Sequence, residues 1–201
     1  MDTRDEIKIQ ILKRALVHVP FEGWSKEILE RAAFEEGIDP SYGWRLFPAG
    51  PLDAITLWSQ LLDQEMLHAL PLDETLRVPE KVTLAVKTRL TLLIPYREAA
   101  RKTAKFLSLP HHMGKGSHLL YATVNEIWYY AGDKSTDYNF YTKRGLLAWV
   151  YAATFLYWLR DHSDGFENTW VFLDRRIREV LALPKLPKKI LERLCRWKRR
   201  D

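Results

Sequence analysis

Apolar residues recur along this chain at intervals of three and four, and sustained alternation of apolar and polar positions is missing. Side chains three and four apart share one face of an α-helix, so the period predicts helices and no sheet. Gly and Pro cut the pattern into pieces of helical length, with Pro20, Gly37, Pro71, Pro95, Pro110, Gly132 and Pro184 among the breakers. The predicted helices lie near 4–18, 25–37, 40–47, 51–69, 79–93, 96–108, 116–131, 138–161, 167–183 and 188–200. Ser25 is placed to cap the second, Pro51 suits a first helical position, and Asp137 precedes a long periodic run. The fold class is all-α.

Two segments depart from the ordinary amphipathic pattern. Between Arg144 and Arg160 there is no charge, and the stretch is apolar nearly all round. Such a helix has to be covered on every side, as a central core helix, a dimer interface or the wall of an apolar cavity. Eight Trp and nine Tyr in the chain tilt the choice toward a cavity, since rigid rings with polar tips suit ligand pockets. The second segment is the stretch from Lys185 to Asp201. There Ile190, Leu191, Leu194 and Trp197 share one arc, and Lys188, Lys189, Arg193, Arg196, Arg199 and Arg200 fall on the other side with Glu192.

Charge sharpens the meaning of that stretch. The formal net charge of the 201 residues is +5, and the last seventeen alone carry eight Lys/Arg against two acids. The remainder is close to neutral. A basic helix with an apolar stripe is suited to an anionic membrane surface, where each cation contributes on the order of 1 kcal/mol at low salt. A helix docked on its own domain with a solvated basic face is the alternative reading. The lone Cys195 permits no internal disulfide, and no stretch approaches a membrane span, so a reducing compartment is expected. An acidic N-terminus without an apolar run predicts neither a presequence nor a secretory signal. The expected location is cytoplasmic, peripheral on the cytoplasmic face of the inner membrane, or the mitochondrial matrix face for a mature eukaryotic chain.

Motifs for chemistry are weak. Glu65 and His68 form one Glu-x-x-His pair, but a carboxylate-bridged di-iron bundle needs a second pair, and none occurs. His111-His112 has no companion His or Cys at ligand spacing, and no nucleophile elbow, phosphate loop or dinucleotide fingerprint is present. The sequence therefore predicts no catalytic residue, no metal and no cofactor. Three short helices at the start invite a test for nucleic acid. The third segment offers only Arg45 as a cation, and the second and third together hold Glu27, Glu30, Glu35, Glu36 and Asp39 against Lys26, Arg31 and Arg45. An acidic face repels phosphate, so no nucleic-acid partner is expected.

Specific strings carry a resemblance. These are His18-Val-Pro-Phe-Glu-Gly-Trp-Ser25, Arg45-Leu-Phe-Pro-Ala-Gly-Pro-Leu-Asp53, Ala131-Gly-Asp-Lys-Ser-Thr-Asp-Tyr-Asn-Phe-Tyr-Thr-Lys-Arg144 and Phe166-Glu-Asn-Thr-Trp-Val-Phe-Leu-Asp-Arg-Arg-Ile177. Together they resemble the ninth Coq protein family, lipid-binding accessory factors of ubiquinone biosynthesis, from about residue 5 to the tail. The resemblance implies a TetR-like helical fold that has lost DNA binding, a homodimer, a pocket for isoprenoid or quinone lipids, and partnership with the di-iron demethoxyubiquinone hydroxylase. The implied hydroxylase contact falls on Phe140 and Tyr141.

The expected organisation is thus a degenerate helix-turn-helix-like unit over 1–50, a helical lipid-binding domain over 51–183 and a membrane-binding helix over 184–201. About nine helices precede that last one. The lipid cavity is expected to be lined by Leu147, Val150, Thr154 and Trp158 of the charge-poor helix, with Leu90, Leu93, Val124 and Trp128 from its neighbours. The implied role is non-enzymatic: extracting a polyprenylated quinone intermediate from the membrane and presenting it to the hydroxylase. A ligand-responsive TetR-type DNA-binding regulator is the competing reading.

Overall fold

A computed structural model describes residues 3–132 and 138–182, and in these the chain forms nine α-helices with no strand. They are α1 (Thr3–Glu22), α2 (Lys26–Glu35), α3 (Pro40–Leu46), α4 (Pro51–Ala69), α5 (Val78–Leu92), α6 (Arg97–Leu107), α7 (Met113–Tyr130), α8 (Tyr138–Trp158) and α9 (Glu167–Ala182). Short 3-10 turns at Ile94–Tyr96 and Asp164–Phe166 lead into α6 and α9. The tenth predicted helix, near 188–200, lies outside the described residues.

Local chemistry sets most of the boundaries. The Ser25 hydroxyl accepts from the Ile28 amide and starts α2, and the Asp39 carboxylate accepts from the Ser41 and Tyr42 amides and starts α3. Pro51 opens α4, where the missing amide proton is not needed. The expected end of α1 near residue 18 is corrected: the helix runs through Pro20 to Glu22. A proline in the last turn removes a single backbone bond, and Val19 beside it is fully buried, so packing holds the helix past it. Gly23 then ends α1 at φ +83°, its amide donating to the Val19 carbonyl at 2.9 Å. The other correction is α7, which begins at Met113 rather than near residue 116 and so takes in Gly114, a poor helix former that sequence reading leaves in a loop.

One apolar core runs through the molecule from Ile11 in α1 to Leu173 in α9. The first three helices pack on one another, with Gly43 of α3 set against Ala33 of α2, and α1 also meets α4 and α6. Beyond them α4, α5, α7, α8 and α9 form the body. α6 links the two parts: its Thr103 hydroxyl accepts from the Trp24 indole at 2.7 Å and donates to the Ala99 carbonyl.

The corner between α8 and α9 is fastened from α6. Arg97 donates to the carbonyls of Trp158 and Asp161, and Arg101 to that of Leu159, which places two guanidinium groups on the negative end of α8. The Asp161 carboxylate accepts from the amides and hydroxyls of Ser163 and Thr169, and so caps the start of α9.

Candidate functional site

Between α4, α6, α7 and α8 the helices stand apart and leave a largely apolar cavity of about 530 Å³ that opens to the surface. That volume is within the range of small-molecule sites. Its wall is supplied by Ile55, Trp58 and Leu62 of α4, Leu93 after α5, Ala100, Ala104 and Leu107 of α6, Leu119 and Leu120 of α7, and Ala152 and Phe155 of α8. Exposed residues Ser108, Met113, Ser117 and Leu156 form its rim. Buried residues Arg89, Thr123 and Tyr151 form its floor, with half-buried Ser59 beside them.

The floor is a polar network inside an apolar site. Arg89 is 6% exposed and is the one charged side chain on the wall among the described residues. It donates to Asp63 Oδ1 at 2.7 Å, to the Tyr151 hydroxyl at 2.6 Å and to Ser59 Oγ at 3.1 Å. The second Asp63 oxygen accepts from Thr123 at 3.1 Å. Burial disfavours the Arg89 charge, but Tyr151 and the Asp63 carboxylate outweigh it and raise the guanidinium above its ordinary value. Burial likewise pushes the Tyr151 phenol up, against the opposing pull of Arg89, so the phenol keeps its proton at neutral pH.

Of the eight residues expected to line a cavity, Leu93 alone is on this wall. Leu90, Val124, Leu147, Val150, Thr154 and Trp158 are instead closed into the packed core, and Trp128 is half-buried with its indole donating to the Lys143 carbonyl. The reason is rotation of α8. Leu147, Val150, Thr154 and Trp158 follow one face toward the core, while Tyr151, Ala152, Phe155 and Leu156, about one step round the helix, face the cavity. Sequence reasoning missed Asp63, Arg89 and Tyr151. A signal existed, since Arg89 sits in register with Val82, Ala85 and Val86 on the buried stripe of α5, where an unpaired cation would be costly.

Other candidates resolve simply. Glu65 and His68 lie on the exposed side of α4. His112 stacks on Phe106, and its Nδ1 donates to the Phe106 carbonyl at 3.1 Å. Among the described residues no three His, Cys, Asp or Glu side chains cluster as a metal site would require, and no helix is long and apolar enough to cross a membrane. Phe140 and Tyr141 fall in the first turn of α8, with side chains outside the described residues. Ile190, Leu191, Leu194 and Trp197 also lie outside them.

A family model described as COQ9 matches residues 113–184, which include α7, α8 and α9. COQ9-B of Xenopus laevis, a mitochondrial ubiquinone biosynthesis protein, is 32% identical over 198 residues, covering 94% of this chain and 67% of its own. The chain belongs to the COQ9 family. Human COQ9, likewise named a mitochondrial ubiquinone biosynthesis protein, is 32% identical over 197 residues and covers 94% of this chain. The chain spans 62% of the human protein's length. The crystal structure of a TetR transcriptional regulator from Nitrosomonas europaea superposes with a TM-score of 0.70 at 19% identity, over 89% of this chain and 100% of that one. This COQ9 family member therefore has a TetR-like fold. The cavity-bearing helices α7 and α8 are part of what the family model matches.

Proposed function

We propose that this protein is a non-enzymatic lipid-binding factor of ubiquinone biosynthesis. It takes a polyprenylated quinone intermediate from the membrane into the cavity between α4, α6, α7 and α8 and hands it to the demethoxyubiquinone hydroxylase. The observation that carries the reading is the open, apolar cavity of about 530 Å³ with one compact polar patch on its floor, in a chain related to ubiquinone biosynthesis proteins. At about 0.8 kcal/mol per buried CH₂, a polyprenyl tail strongly resists water, and a protein channel beside the bilayer lowers that barrier.

The rest of the reading follows from exposed surfaces and sequence. The basic, amphipathic stretch of 185–201 supports an anionic membrane contact, and the resemblance around Phe140 and Tyr141 supports the hydroxylase contact. Trp149 and Tyr157 of α8 and Val171 of α9 are exposed apolar side chains, as a homodimer contact through these helices would require. DNA regulation is disfavoured by charge. Arg14 pairs with Glu36 and Arg31 with Glu22, and Arg45, the only cation of α3, lies over the Tyr42 ring.

The decisive experiment is mass spectrometry of lipids extracted from purified protein, with Ala152→Phe as a variant that fills the cavity. Isoprenoid quinone lipids are expected with the wild type and should be depleted in the variant at unchanged fold. Absence of any such lipid from the wild type overturns the reading.

A further inference from the structure

The hydrogen atoms on the cavity floor point to how a ligand is held. Tyr151 and Ser59 each use their oxygen to accept a hydrogen bond from Arg89. Neither hydroxyl donates to a protein acceptor among the described residues, although Thr56, Thr83, Thr91 and Thr154 all return their protons to helix carbonyls. Both residues line the cavity. Arg89 is itself fixed by Asp63, whose other oxygen is engaged by Thr123. A guanidinium with fork geometry thus orients two hydroxyls whose protons have no partner among the described residues.

We propose that Tyr151 and Ser59 are a specificity-determining donor pair, oriented by Arg89, that takes a neutral oxygen acceptor of the ligand's head group such as a ring carbonyl. The inference rests on the lipid-binding function proposed above and adds the head-group chemistry to it. A buried donor left unpaired is costly, so a plain hydrocarbon fills the cavity at a loss. An anionic head is also disfavoured. The charge of Arg89 is already met by Asp63 at 2.7 Å, and no second cation lines the wall among the described residues, so a carboxylate or phosphate would be desolvated without a counter-charge. The lipid is held head inward with its tail toward the rim at Met113 and Leu156. Two neutral hydrogen bonds can be released for transfer more readily than an ion pair.

Three probes of similar chain length separate the possibilities in binding to the full chain. They are a decyl-substituted dimethoxybenzoquinone, read by quenching of Trp58 on the cavity wall, and decylbenzene and dodecanoate, read by displacement of that quinone. The quinone is expected to bind about tenfold more tightly than the other two. Tyr151→Phe and Ser59→Ala should each weaken quinone binding by about fivefold or more and leave decylbenzene bound as tightly or more so. Should Tyr151→Phe fail to fold, Ser59→Ala on the half-buried side of α4 decides the matter alone. Quinone affinity unchanged in a folded variant overturns the donor pair, as does dodecanoate binding as tightly as the quinone. If no probe binds the wild type, the lipid-binding function itself falls and the donor pair falls with it.

Discussion

Asp161 shows how one carboxylate can hold a junction between two helices. Burial by itself would raise its pKa, but hydrogen bonds from the Thr169 and Ser163 hydroxyls and amides overcome that and hold it at about 2, against an ordinary 3.8. A folded value below the unfolded one means that the stabilisation is present in full above about pH 4 and is lost as pH falls toward 2. Asp161→Asn keeps the shape of the side chain but turns an amide donor toward groups that are themselves donors. It should lower stability by about 1–2 kcal/mol at pH 7. Urea unfolding of both proteins across pH 2–7 checks this: the gap should be widest at neutral pH and close in acid. A gap that does not change with pH would show that the charge contributes nothing and that only the shape of the cap matters.

Between elements, the contact of α2 with α3 depends on an absent side chain. A Cβ on Gly43 would lie 2.7 Å from the Ala33 Cβ, and a methyl group on a helix cannot rotate away. Gly43→Ala should therefore force α3 outward and cost about 1–3 kcal/mol despite alanine's better helix propensity, with Ala33→Gly in the same chain restoring part of the loss. Thermal unfolding of the single and double variants measures both. If Gly43→Ala is as stable as the wild type, the two helices are not packed as closely as described. The close approach has no signature in the sequence beyond a glycine inside a short helix. Most helix limits were legible, because residues such as Ser25 and Pro51 announce starts by chemistry that acts within a few residues. α1 was not, since the breaker Pro20 is overruled by burial of Val19, a tertiary effect. The cavity lies between these cases. The charge-poor stretch of α8 marked the right helix, but that helix is apolar all round, so no polar face existed to fix which side meets the cavity. That orientation is set by its packing, and the buried Arg89 was the better guide to the cavity floor.

At the scale of the molecule, charge and core are separated along the chain. Among the described residues the last fully buried apolar side chain is Leu173 in α9, whereas the excess of cations begins at Lys185. Removal of 185–201 takes away eight Lys/Arg and two acids, so the net charge falls from +5 to −1 while every core residue among the described ones remains. The proposed membrane contact and the proposed cavity can therefore be tested independently. Deletion of 185–201 should leave the melting temperature within a few degrees of the wild type and reduce sedimentation with vesicles containing anionic lipid by at least about tenfold at low salt. Two partial variants divide the effect. Replacing Lys188, Lys189, Arg193 and Arg196 by Gln keeps the apolar stripe and should abolish the dependence on anionic lipid, because each lost cation removes up to about 1 kcal/mol of attraction. Replacing Ile190, Leu191, Leu194 and Trp197 by Ser keeps the charge, and should leave only weak binding that vanishes at about 0.5 M salt, where screening shortens the reach of surface charges. Vesicle binding that survives the deletion would place the membrane contact on the helical body instead.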